Sequence, residues 1–285
     1  MQWTPTEAID LAASIARFER WGVDLANVVA DGTFFRVDAT GHAYAATQRP
    51  DGSIEVRTAD VTAEANALDD LKWRLAESLD RGPLVELGKS DPVVAQLVTR
   101  YPGLRPPLQV DPFQSLITSI TAQQVNLTWA TTTRSRLIEA YGTPHTLFGT
   151  VVWEFPSPDR LAGVDPSSLR SLQFTARKSE YIVGVAQAAA KGALAGLHQL
   201  GNDEVIRRLV NLRGIGRWSA EWLLARCLAR PDVIPAGDLG VRKAVSYHYR
   251  GADELLSEEV VRDLASPWGS ATNLVTHLLL ETLNV

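Results

Sequence analysis

Cysteine is nearly missing from this chain: Cys227 is the only one in 285 residues. That excludes an intramolecular disulfide, a zinc knuckle of several cysteines and a four-cysteine iron–sulfur cluster, and it fits a reducing compartment. No uninterrupted run of about 18 apolar residues occurs, so no membrane-spanning helix is expected. The stretch from Met1 to Trp21 lacks the basic start and apolar core of a signal peptide, and a cytoplasmic setting is expected. Internal repeats and low-complexity tracts are absent as well. Positive charge is in deficit, with a formal net charge of −5, which speaks against non-specific attraction to nucleic acid.

What is present is a globular composition, 45% hydrophobic and 21% charged. The acidity is uneven. Residues 1–106 hold 11 Lys/Arg against 16 Asp/Glu, whereas residues 107–285 hold 17 of each. The later part can therefore carry a local basic face.

The first hundred residues read as α+β. Phe34 to Asp38 and His42 to Thr47 alternate like strands around a turn at Ala39-Thr40-Gly41, and Ser53 to Thr58 follows Pro50-Asp51-Gly52. Thr62 to Leu79 then has a helical apolar face of Ala65, Leu68, Leu71, Leu75 and Leu79. Leu104-Arg105-Pro106-Pro107 reads as a linker, because paired prolines stop helices. Beyond it the strand signals fade. Asp111-Pro112 supplies an N-cap and a first-turn proline. Helices are expected near 112–125, 127–141, 176–191, 203–210, 217–229, 239–249, 257–265 and 270–283. The expected architecture is an α+β N-terminal domain (1–106), an antiparallel sheet with helices, followed by an all-α domain (107–285).

The densest chemistry lies between Asp203 and Ala244. A short helix ends at Val210, Leu212-Arg213-Gly214-Ile215-Gly216 makes a turn, and Arg217-Trp218-Ser219-Ala220-Glu221-Trp222 opens a second helix. Glycines allow positive φ and close backbone approach, and free N–H groups at a helix start suit a phosphate oxygen. Arg213 and Arg217 flank that start, with Arg207 and Arg208 one helix back. Such a turn also serves as a plain helix–helix corner. Trp218 and Trp222 share a helix face, either as core or as an aromatic wall for a nucleobase. Asp238 starts the next helix, either as an N-cap alone or with its side chain also facing a cleft.

Together these stretches resemble the helix–hairpin–helix DNA glycosylase superfamily, and more narrowly its 3-methyladenine DNA glycosylase II (AlkA-like) branch. The match rests on Gly214-Ile215-Gly216-Arg217-Trp218-Ser219-Ala220 and Asp238-Leu239-Gly240. It extends to Asp111–Ile117, Ala122-Gln123-Gln124-Val125, Phe155–Pro158 and Arg177–Ile182. The resemblance covers about 107–265 and is only architectural before that.

It implies a monofunctional glycosylase of base excision repair, releasing flipped-out alkylated purines from double-stranded DNA. Such an enzyme would be a bacterial, cytoplasmic monomer, gathered on the nucleoid when acting. Asp238 would be the catalytic carboxylate. Trp218, Trp222 and His277 would line the base pocket. Gln124 would fill the gap left in the duplex. Arg213, Gly214, Gly216, Arg217, Ser219 and Ala220 would hold DNA. No cofactor would take part in the chemistry, although the backbone carbonyls of Val210, Leu212 and Ile215 would bind a structural monovalent cation, Na+ or K+. Bifunctional members place a lysine, needed for a Schiff base with the sugar, where this chain has Trp218; strand cleavage is therefore not expected.

Two departures bear on specificity. Pro267-Trp268 is followed by Gly269 where the branch has arginine, and His277 stands eight residues further on in the place of a tryptophan. His277 either makes the pocket more polar or is a satisfied helix histidine. Glycosylases for oxidised or deaminated purines, and a catalytically inactive damaged-DNA-binding homologue, are the alternatives to the alkylpurine reading.

Overall fold

A computed structural model describes every residue except 252, 253, 284 and 285. Five antiparallel strands, β1 (Gln2–Trp3), β2 (Val28–Ala30), β3 (Thr33–Val37), β4 (Ala43–Gln48) and β5 (Ile54–Thr58), form one sheet in the order β1-β5-β4-β3-β2. Alternation places Phe34, Tyr44, Ala46, Ile54 and Val56 on one face. There they pack with Leu11 and Ile15 of α1 (Leu11–Ile15) and with Leu68, Leu71 and Leu75 along and just beyond α3 (Glu64–Arg74). Between these lies α2 (Arg17–Arg20). The expected meander and its helix are observed; β1, β2, α1 and α2 are additions too short to show a period.

Two further helices, α4 (Gly82–Leu87) and α5 (Pro92–Arg100), precede the expected boundary at 106. Leu84, Val94 and Leu97 belong to the same core as the helices that follow. That core also takes in Leu104 and Leu108, and Arg105 is only 3% exposed. The Arg105 backbone N–H donates to Ser14 Oγ, and its side chain donates to the Leu79 carbonyl and pairs with Glu7. Leu104-Arg105-Pro106-Pro107 is therefore a buried seam and not a loose linker, and the main core runs across residue 106. Paired prolines mark the end of a helix; they do not make the connection solvent-borne.

The helical part comprises α6 (Pro112–Ala122), α7 (Leu127–Tyr141), α8 (Pro158–Ala162), α9 (Ala176–Ala190), α10 (Asn202–Val210), α11 (Arg217–Arg226), α12 (Leu239–Arg250), α13 (Glu258–Ala265) and α14 (Thr272–Thr282). The expected helices all occur, with ends that differ from expectation by at most three residues. Asp111 caps α6 as its sequence suggests, accepting from the Phe113 and Gln114 N–H groups at 2.9 and 3.3 Å.

This part is not wholly helical. β6 (Thr143–Leu147) and β7 (Thr150–Glu154) form a hairpin that packs on the sheet, where Leu147 and Val152 join Phe35, Val37 and Ala45 in a separate apolar cluster. Below that cluster, buried Arg36 of β3 donates to Asn27 Oδ1 at 2.6 Å and to Gln114 Oε1 of α6 at 2.8 Å. The sheet is thus clamped to the helices at two places. Among the described residues no helix is long and apolar enough to cross a membrane.

Candidate active site

The turn between α10 and α11 is built around one obligatory glycine. Gly214 has φ +90°, and a Cβ there would lie 2.2 Å from Tyr181 Cγ on α9. Both the backbone conformation and the aromatic ring exclude a side chain. Gly216 differs. Its φ is −102° and a Cβ there would meet only open space, so the protein itself makes no demand for glycine at that position. Ile215 between them is 5% exposed and anchors the turn in the core. Gln123 of the α6–α7 loop donates to the Gly214 carbonyl at 2.9 Å, tying that loop to the turn.

Gly216 is the N-cap of α11 and supplies no side-chain acceptor, so the first-turn N–H groups are left for a ligand. The flanking side chains are less free than the sequence suggests. Arg213 pairs with Glu180 at 2.8 Å and lies over the Tyr181 ring; Arg217 pairs with Glu221 at 2.7 Å, which also binds Arg262. Arg213 and Arg217 remain exposed at their ends; the Arg213–Glu180 pair is exposed and exchanges partners at little cost, whereas Glu221 is buried and keeps Arg262 when Arg217 turns away.

Two of the expected DNA-contacting residues turn inward. Ala220 is fully buried and its N–H is spent on the Gly216 carbonyl at 3.1 Å. Ser219 is 1% exposed, with its hydroxyl sealed from solvent. Ala220 cannot contact a phosphate in this arrangement, and Ser219 can do so only through its backbone N–H. Both lie on the core side of α11, a consequence of helical phase.

Gln124 sits in the α6–α7 loop, exposed, with φ +56°. A non-glycine residue in that region is strained by about 1–3 kcal/mol, and such strain is concentrated at functional positions. Val125, Leu127 and Trp129 beside it are exposed apolar residues, and Arg136 covers the Trp129 ring.

Asp238 is the N-cap of α12, and its Oδ1 accepts from the Val241 N–H at 3.1 Å. Its Oδ2 accepts from both tryptophan indoles, Trp218 Nε1 at 2.8 Å and Trp222 Nε1 at 3.1 Å. The two indoles thus orient the carboxylate in addition to any aromatic surface they offer. The Asp-Leu-Gly step has its own reason: a Cβ at Gly240 would stand 3.0 Å from Asp238 Oδ1. Leu239 between them is 52% exposed.

Trp222 offers little surface for stacking. It is 6% exposed, the Arg226 guanidinium covers its ring at 3.7 Å, and His277 meets it edge-on at 5.9 Å. Trp218 is only half-buried and is the indole left to face a ligand.

His277 is 5% exposed and engaged at both ring nitrogens. Nδ1 is 2.9 Å from the Asn273 carbonyl, and Nε2 accepts from Arg226 Nε at 3.2 Å. These partners assign the proton to Nδ1. Burial and the neighbouring Arg226 charge hold its pKa well below the ordinary value, so the ring is neutral. His277 therefore sits behind Trp222 as a satisfied residue that positions Arg226. Gly269 makes its own contribution with φ +52°, a turn ahead of α14.

Arg226 is a site residue that the motif does not include. Yet Trp218, Trp222 and Arg226 recur every four residues along α11, and that spacing is a readable signal. Arg17, arriving from α2, has no such signal: only tertiary folding brings it within electrostatic reach of Arg226 and His277.

The arrangement matches a known family over most of its length. Residues 117–270 match the model of the HhH-GPD superfamily base excision DNA repair protein. A DNA-3-methyladenine glycosylase of Bacillus subtilis (strain 168) is 30% identical over 206 residues, spanning 72% of this chain and 68% of its own length. The solved 3-methyladenine DNA-glycosylase from Archaeoglobus fulgidus superposes with a TM-score of 0.88 at 25% identity, covering 99% of this chain and 98% of its own. A Schizosaccharomyces pombe 3-methyladenine DNA glycosylase, solved with abasic DNA, gives a TM-score of 0.59 at 26% identity over 71% of this chain and 97% of that one. This chain belongs to the HhH-GPD superfamily of base excision DNA repair proteins.

Proposed function

We propose that the protein is a monofunctional DNA glycosylase, hydrolysing the N-glycosidic bond of a flipped-out alkylated purine in double-stranded DNA. The observation that carries this is the Asp238 carboxylate, fixed by three N–H donors one helix away from an uncapped helix start. The names of the relatives in Bacillus subtilis and Archaeoglobus fulgidus agree with it.

In the proposed reaction the open amides of the hairpin and α11 hold the phosphates beside the lesion, a contact that needs no net positive charge. Gln124 enters the duplex as the nucleotide rotates out, at a cost of a few kcal/mol that a weakened base pair reduces. The base lies along Trp218. As the bond to the base stretches, positive charge grows on the sugar, and the Asp238 carboxylate stabilises it and orients water at C1′. An alkylated purine leaves readily and needs little acid assistance. No lysine stands at the Trp218 position to attack the sugar, so the reaction ends at base release.

Among the described residues, the carbonyls of Val210 and Ile215 accept no backbone hydrogen bond outside the helix ladders, while that of Leu212 is shared with the Ile215 N–H at 3.0 Å. That donor set fits a monovalent cation, which would supply positive charge beside a bound phosphate.

The test is Asp238→Asn. Base release from a duplex carrying 3-methyladenine should fall at least ~100-fold, with duplex affinity within about twofold of wild type. Near-normal turnover by this variant would remove the assignment.

A further inference from the structure

Arg226 lies within electrostatic reach of Arg17, and Arg17 in turn within reach of Arg20 and Arg134. The nearby carboxylates are Asp24, Glu281 and Asp238. Two of these are already taken: Arg134 pairs with Asp24 at 3.2 Å and Arg20 with Glu281 at 3.0 Å. Asp238 is already engaged by the two indoles and the α12 N-terminus.

Arg17 and Arg226 are left over. Among the described residues, Arg17 makes no hydrogen bond or ion pair, and neither terminal nitrogen of Arg226 has a protein partner or is sealed from solvent. Burial lowers both pKa values; the charge of Arg17 lowers that of Arg226 further, while at Arg17 the attraction of Glu281 is opposed by Arg134 and Arg20. Arginine stays charged even so, and an unpaired, partly desolvated charge is costly to keep.

The position of Arg226 along α11 says what it faces. Asp238 meets α11 at residues 218 and 222, and Arg226 is one turn further on, about 5.4 Å along the axis. A base whose sugar stands at Asp238 and whose ring lies along Trp218 points its far edge toward Arg226. The guanidinium plane is held by Trp222 beneath it and by His277 at Nε. It offers donors and no acceptor.

We propose that Arg226, with Arg17 behind it, reads the far edge of the flipped base, so that the site selects purines bearing a carbonyl oxygen at that edge. The ligand class is the 6-oxopurines, hypoxanthine and alkylated guanines, in preference to adenine-type purines. This rests on the glycosylase reading above and redraws its substrate class by the carbonyl oxygen in place of alkylation alone. It also gives His277 a function: the neutral ring, as acceptor at Nε2, orients a cation for which an imidazolium would be repulsive.

Two matched pairs separate the carbonyl from other effects. Hypoxanthine and unsubstituted purine are both neutral; 7-methylguanine and 3-methyladenine are both alkylated cations. In single-turnover release from duplexes, the carbonyl-bearing member of each pair should be favoured. Arg226→Met should reduce its release by about tenfold or more, with little change for the other member. Arg17→Gln removes a charge that makes no side-chain hydrogen bond or ion pair among the described residues, is expected to fold normally, and should shift the same ratios by a smaller factor. Equal effects on both members, or none, overturn the proposal.

Binding of the free bases hypoxanthine and purine, followed by tryptophan fluorescence, gives a readout independent of catalysis. Loss of the hypoxanthine preference in Arg226→Met supports the reader role even if no duplex is processed, in which case only the glycosylase reading falls. A preference unchanged in both variants sinks the reader role whatever the enzyme does.

Discussion

Arg74, packed under the sheet, and Arg226, at the end of α11, are handled in opposite ways. Arg74 donates to Asp70 from Nε at 2.5 Å and from Nη2 at 3.3 Å, and its Nη1 reaches the Leu108 carbonyl at 3.3 Å. Tyr44 adds a further donor to Asp70 at 2.8 Å, and burial together with that carboxylate raises the tyrosine pKa well above its usual value. Arg226 has a ring below it, one imidazole nitrogen beside it, and nothing on its outer nitrogens among the described residues. Arg74, whose charge serves the fold, is closed by protein acceptors, whereas Arg226 at the site is positioned and then left open. The first region can be read as stability and the second as function held at some expense of stability.

The closed pair carries the largest expected effect. Asp70→Ala leaves Arg74 as an uncompensated buried charge and should cost about 3–5 kcal/mol in urea unfolding; a loss under about 1 kcal/mol would show that the network is ornamental. The hairpin sharpens the same contrast within two residues. Gly214→Ala collides with Tyr181 at positive φ and should destabilise the fold by about 1–3 kcal/mol. Gly216→Ala meets open space and should leave the melting temperature unchanged while weakening duplex affinity, measured by fluorescence anisotropy. A normal affinity for Gly216→Ala would separate the open helix start from DNA binding.

His277 gives a smaller, pH-dependent effect. Its pKa is depressed in the folded protein, so the unfolded chain gains a proton below about 6.5 that the folded chain refuses. Stability from this group is present above that pH and is lost as pH falls. Between pH 7.5 and 5.5, wild type should lose more stability than His277→Leu. Identical pH dependence of the two proteins would mean that the imidazole titrates normally. The smallest effect belongs to the open site: Asp238→Asn keeps an oxygen to cap α12 and should change stability by less than about 1 kcal/mol.

What the sequence makes legible follows the same division. The hairpin, Asp238 and the tryptophans lie within about thirty residues, and short-range spacing carries them. The β6–β7 hairpin is hidden because its turn is Phe148-Gly149, with φ of +49° and +83°. Both central residues have positive φ, as a two-residue type I′ turn requires, but phenylalanine masks the usual Asn-Gly cue. The buried seam at residue 105 is illegible because proline punctuation is local and the partners of Arg105, on α1 and near Leu79, are not. Motif membership alone puts Ala220 on DNA, although the phase of α11 turns it inward. The cluster of Arg17, Arg20, Arg134 and Arg226 has no local pattern at all, since three separate helices deliver it.

The double indole contact at Asp238 has a consequence for how the carboxylate can act. A carboxylate offers about four acceptor positions, and three are taken by Val241, Trp218 and Trp222. One remains, on Oδ1. A nucleophilic water and the sugar cannot both be served by lone pairs of this residue, so one of them must feel it only through its field. Trp218→Phe would free a second position, turning a fixed charge into a group able to rotate, and with it the division of labour between guiding water and steadying the sugar.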